Sequence, residues 1–150
     1  MSRSLSRMLL WIAFGLALVV VGTSSGLRLA ANGLGCEPWP NCYGSEATAQ
    51  AVQQSPAAKA ARLIHRIAAS AFALAALCAT IMGWHHWERR ARAAAVFVLA
   101  VTALLSVIGL YTPSPLPAVT LINVLGGMAL LGGIAFVVTA QPTARVTSRG

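Results

Sequence analysis

Charge is what this sequence has least of. Only 9% of its 150 residues are charged, and there is no aspartate, where a soluble domain carries about a quarter charged residues. A water-soluble globular enzyme is therefore excluded. A disordered chain is excluded too, because 57% of the residues are hydrophobic and disorder requires low hydrophobicity. Acids are scarcest, with Glu37, Glu46 and Glu88 set against eleven Lys and Arg, for a net charge of +8. Cysteine and histidine occur three times each. The segment that holds Cys36 and Cys42 contains no His, so a zinc site there lacks two of the four ligands it needs.

What is present is apolar and blocked. Four hydrophobic stretches each approach the roughly 20 residues that cross a hydrocarbon core of about 30 Å. The expected fold class is all-α, an integral membrane four-helix bundle with no soluble domain and no internal repeat. Residues 1–7 form an N-terminal flank and 8–140 the membrane domain, with spans at about 8–27, 63–84, 93–111 and 118–140. Residues 141–150 form a polar, basic tail expected to be disordered. The flank resembles the start of a signal peptide, but the apolar run that follows is longer than such peptides use. The first span is therefore expected to remain as a helix. Ser55 and Pro56 supply an N-cap and a first helical residue for the second helix. Gly22 and Gly26, the alanines of the second span, and Gly126-Gly127 and Gly132-Gly133 of the fourth all permit close helix packing.

The basic residues report topology rather than nucleic acid. Arg3 and Arg7 precede the first block, Arg89, Arg90 and Arg92 separate the second from the third, and Arg145 and Arg149 follow the fourth. A nucleic-acid footprint would cluster on one soluble face. Under the positive-inside rule these seven cations place both termini inside. The connection from about Arg28 to Gln54, with Cys36 and Cys42, then lies outside. On that oxidising side the two cysteines favour a disulfide over two free thiols, worth roughly 2–3 kcal/mol for so short a loop. Cys78, alone in the second span, reads as a small packing residue.

His65-Arg66 stands out within the second span. Ionisable groups at membrane depth usually face the bundle interior or a polar pathway. Two readings stand: a histidine hydrogen-bonded across helices with Arg66 snorkelling to the interface, or an axial haem ligand with Arg66 beside a propionate. Spacing alone favours the first. His85-His86, flanked by Trp84 and Trp87, read as interfacial residues, since neighbours on a helix diverge by about 100° and do not share one ion. Asn123 is the remaining polar group within a span, and its default role is to join helices. At 1.5 Å per residue, His65 and Asn123 lie roughly 13 and 9 Å below their helix starts. A cofactor between the second and fourth helices would meet both.

These residues together resemble the haem A synthase family of cytochrome oxidase assembly proteins. The run Gly33-Leu34-Gly35-Cys36-Glu37-Pro38-Trp39-Pro40-Asn41-Cys42-Tyr43-Gly44, preceded by Arg28, is similar to that family's first outer loop. His65-Arg66 is similar to its second-helix His-Arg pair, and Val119-Thr120-Leu121-Ile122-Asn123 through Gly126-Gly127-Met128 to its fourth-helix motif. The family is built of two similar four-helix halves, each able to hold haem between its second and fourth helices. It oxidises a methyl group of haem O to the formyl group of haem A.

The resemblance covers an N-terminal half. It implies b- or o-type haem, with His65 as axial iron ligand and Arg66, Asn123 and Arg28 as cofactor-binding residues. It also implies pairing with itself as a homodimer, or with another half-size homologue, and contact with cytochrome oxidase assembly components. The membrane implied is the bacterial or archaeal cytoplasmic membrane. Two positions depart from the family pattern. Arg62 stands where the family has a glutamate, and a guanidinium accepts no proton. Asn123 stands where the family has its second histidine. Two expectations follow: a half-size enzyme acting as a dimer, or a catalytically inactive haem-binding, assembly or structural subunit of a respiratory complex.

Overall fold

The structure, a computed structural model, describes residues 2–32, 55–109 and 117–141, with side chains at 4–27, 55–109 and 121–141. Four helices and no strand occur among them: α1 (Ser2–Asn32), α2 (Pro56–Gly83), α3 (Arg89–Gly109) and α4 (Pro117–Thr139). Each is long and apolar enough to cross a membrane, over Ser4–Leu27, Pro56–Gly83, Arg89–Gly109 and Leu121–Thr139. The protein is thus an all-helical, multi-pass membrane protein whose outward surface suits lipid. The loop with Cys36 and Cys42, the turn before Pro117 and the tail after Gln141 lie outside the described residues.

The helices form a ring in chain order. α1 packs on α2 and α4, and α3 packs on α2 and α4. Leu105 meets Gly126 while Val98 meets Gly133, so α3 and α4 run antiparallel. The Val20–Thr23 stretch of α1 meets His65, a third of the way along α2, and Val21 meets Gly127, midway along α4. The diagonal helices stay apart: among the described residues no Cα of α2 comes within 8 Å of α4.

Small residues make the ring tight. The core joins Leu10, Ala13 and Ala17 of α1 to Phe72, Ala75, Ala76 and Ala79 of α2, then to Ala91, Ala95 and Val98 of α3 and Leu130, Ile134 and Val137 of α4. Lipid tails are as apolar as these side chains, so close packing rather than the hydrophobic effect holds such helices together. Leu74, Ile81 and Met128 turn outward and are about two-thirds exposed. Hydroxyls inside the spans satisfy themselves locally: Thr80, Thr102, Ser106 and Thr139 donate to the carbonyl four residues back at 2.7–3.0 Å.

The start of α2 is as its sequence implies, with Ala58 N–H donating to Ser55 Oγ at 3.2 Å and Pro56 at the first helical position. Besides the start of α1 at Ser2, inside the expected flank, three boundaries differ. α1 continues to Asn32, five residues past the expected span, because Arg28-Leu29-Ala30-Ala31 are good helix formers and no glycine intervenes before Gly33. α3 starts at Arg89, so its arginines are helical rather than part of a connection.

The third difference is at the end of α2. The helix stops at Gly83, whose carbonyl accepts from His86 N–H at 2.8 Å and Trp87 N–H at 3.0 Å. The Trp87 indole occupies the space that a Cβ on residue 83 would need. Trp87, part of the segment read as interfacial, turns inward at that end of the bundle and is 6% exposed within the core. Among the described residues of the chain, no neighbour comes within 4 Å of where Cβ atoms of Gly22 and Gly26 would stand, so this pair is open to a helix of another chain.

Candidate functional site

The imidazole of His65 is half-buried and meets polar groups of a second helix. It is the tenth residue of α2 and continues the packing stripe of Ala68, Phe72, Ala76 and Ala79, which follow at helical spacing. That stripe faces α1, and there Nδ1 of His65 lies 3.2 Å from the Val20 carbonyl and 3.2 Å from Thr23 Oγ1. Thr23 directs its own hydroxyl hydrogen to the Val19 carbonyl at 2.8 Å. Donation from Thr23 to Nδ1 would select the other tautomer; the Nδ1–H tautomer is the one that also satisfies the Val20 carbonyl, which only accepts. In a neutral ring the lone pair then resides on Nε2, which points away from α1.

Asn123 occupies the matching face of α4. Leu130, Ile134 and Val137 follow it at seven, eleven and fourteen residues and are buried, so Asn123 lies on the inward side, itself half-buried. Its level follows from α1. Val20 marks the height of His65 and Val21 the height of Gly127. Asn123 is four residues from Gly127, or about 6 Å along the helix. The two inward polar groups therefore lie within about one turn of each other, on diagonal helices whose described residues have no Cα atoms within 8 Å.

The cations are arranged differently. Arg66 is exposed and projects about 100° around α2 from His65. With Lys59, Arg62 and Leu63 it lines an outward hollow of about 180 Å³. The structure brings His65 and Asn123 onto inward faces and leaves Arg66 on the lipid side. Arg28 belongs to α1, its side chain outside the described set, as are Cys36 and Cys42. Cys78 is a free, half-buried thiol within α2. His85 and His86 are exposed in the turn after α2. No group of three His, Cys, Asp or Glu is placed to hold a bare metal ion among the described residues.

Those donors suit one class of cofactor contact. An imidazole whose Nδ1–H is held by a backbone carbonyl is the usual orientation of a metal-ligating histidine, because it fixes both tautomer and ring plane. His65 thus fits one axial position of a haem. A carboxamide is a weak partner for haem iron, so Asn123 does not complete a pair of protein ligands. Thr23 is the residue that inspection of the sequence missed, and its signal was a hydroxyl in an apolar span, one helix away from the histidine. Compared with family models, with curated proteins and with solved structures, the chain matched none.

Proposed function

We propose that this protein is a haem-binding membrane protein of the haem A synthase type. It holds b- or o-type haem between α2 and α4 and serves haem A biosynthesis or cytochrome oxidase assembly as a dimer of half-size units. The observation that carries this reading is the Nδ1 anchor on His65, which leaves Nε2 as a directed ligand within the ring of helices. Bound haem supplies a redox-active iron. The chain's own part is to hold that iron through His65 and to fix the imidazole through Val20 and Thr23. The resemblance of the Cys36–Cys42 loop supports an outer disulfide, N-in and C-in topology and a prokaryotic cytoplasmic membrane.

A second reading within the same family type has its own support. Arg62 cannot relay a proton as a carboxylate does, and Asn123 does not supply a second imidazole. Both residues favour binding and assembly over catalysis by this chain alone.

The test is a pyridine haemochrome spectrum of protein purified in mild detergent, for the wild type and His65→Ala. The expected result is haem in the wild type and its loss in the variant. Wild-type protein free of haem after expression with ample haem, or a variant with undiminished haem, overturns the proposal. Hydroxylated haem O or haem A in the extract selects the enzyme over the assembly subunit.

A further inference from the structure

The α2–α3 corner carries a second feature, at the opposite end of the bundle from His65. Trp84, Arg89, Arg92, Ala93 and Val96 line an open hollow of about 490 Å³, within the roughly 300–1,000 Å³ range of small-molecule sites. Arg89, Arg92, Ala93 and Val96 are spaced at three, four and seven residues, so one face of α3 presents all four. The guanidinium of Arg92 lies over the indole of Trp84, 5.7 Å from the ring centroid, a cation–π contact. Glu88, the single acid among the described residues, does not line the hollow. Two guanidinium groups therefore share one wall, and one of them is held in place.

Below the hollow the surface turns apolar. On α3 the outward stripe continues from Val96 to Leu104 and Val107, each about half exposed. On α2 the stripe that ends at Trp84 contains Leu77 and Ile81, exposed by 45% and 65%. The two stripes run side by side from a pair of cations and an aromatic ring at the end of the spans, the level at which such residues meet lipid headgroups.

We propose that this corner is a binding site for an anionic phospholipid, with the phosphate between Arg89 and Arg92 and the acyl chains along the outward stripes of α2 and α3. Basic pockets between membrane helices have the chemistry to hold such headgroups, and a guanidinium fork matches two phosphate oxygens at once. Charge decides among lipids. Two cations face one phosphodiester, so a headgroup with its own ammonium is disfavoured and a net anion preferred. The proposal is independent of haem.

The test uses the full chain in detergent, titrated with phosphatidylglycerol or phosphatidylcholine of identical acyl chains and read by native mass spectrometry. Glycerol 3-phosphate forms a third arm. Wild-type protein is expected to retain phosphatidylglycerol over phosphatidylcholine and to ignore glycerol 3-phosphate. Each guanidinium contributes about fivefold, so Arg89→Gln with Arg92→Gln should weaken phosphatidylglycerol by about 25-fold. Lys59→Gln with Arg62→Gln removes the same charge at the other end and should change it less than twofold. Arg92→Lys keeps the charge but not the fork, and should lose part of the preference even if the double variant fails to fold. Equal retention of the two lipids, equal loss in both double variants, or glycerol 3-phosphate binding as tightly as lipid overturns the proposal.

Discussion

Adjacent glycines in α4 provide a stability experiment in which one term cancels. Gly132 and Gly133 both lie within the helix, and replacing either by alanine removes a helix-interior glycine penalty of about 0.8–1.0 kcal/mol. Their surroundings differ. A Cβ at position 132 meets nothing within 4 Å, whereas one at 133 stands 2.7 Å from Val98 Cγ2. Val98 is 1% exposed and β-branched, so its methyl group cannot swing aside. Forcing a methyl group into such packing costs about 1–3 kcal/mol.

Gly132→Ala should therefore stabilise the bundle by up to about 1 kcal/mol, and Gly133→Ala should be neutral to destabilising by about 2 kcal/mol. The backbone term is common to both, so their difference of about 1–3 kcal/mol isolates the α3–α4 contact. Reversible unfolding of the two variants in mixed detergent–SDS micelles measures it. Equal stabilities, or a more stable Gly133→Ala, would refute the packing of α4 on α3, and with it the inward placement of Asn123.

Three further outcomes follow. Thr23→Val removes one of two groups around Nδ1 of His65 but leaves the Val20 carbonyl. Partners of this kind typically contribute 10–100-fold to metal affinity, so haem titration should show about tenfold weaker binding, and unchanged affinity removes Thr23 from any positioning role. Asn123→His places a second imidazole within about one turn of His65, and should convert the optical spectrum of the haem-loaded protein to a six-coordinate, low-spin form. An unaltered spectrum means α4 does not face the iron. Ser55→Ala deletes the N-cap of α2 and should cost about 1 kcal/mol, seen as faster hydrogen exchange in its first turn; exchange unchanged there refutes the cap.

Local chemistry was legible in the sequence, and relations between helices were not. The cap at Ser55, the proline at the head of α2 and the four apolar blocks depend on neighbours in the chain. The burial of Trp87 is not legible in the sequence, because it depends on a helix ending four residues earlier, where Gly83 leaves room for an indole. Alternation of aromatic and basic residues at 84–90 reads as an interface from either side. For His65 the reading favoured from spacing, a hydrogen bond across helices, matches the contact with α1, yet the partner Thr23, 42 residues away, depends on the rotation of α1 against α2. Neither apolar face encodes that rotation. Gly22 and Gly26 carry a close-packing pattern that meets no neighbour among the described residues of the chain itself.

The position of His65 along α2 has an electrical consequence. As the tenth of 28 residues, it stands about a third of the way along the span. Moving one charge across a whole membrane at 100 mV involves about 2.3 kcal/mol, so reaching His65 from the near end involves about 0.8 kcal/mol and from the far end about 1.5 kcal/mol. Any charge brought to this depth is therefore coupled to the membrane voltage, and unequally to the two aqueous phases. The nearer phase holds the electrical advantage as donor or acceptor of the charge.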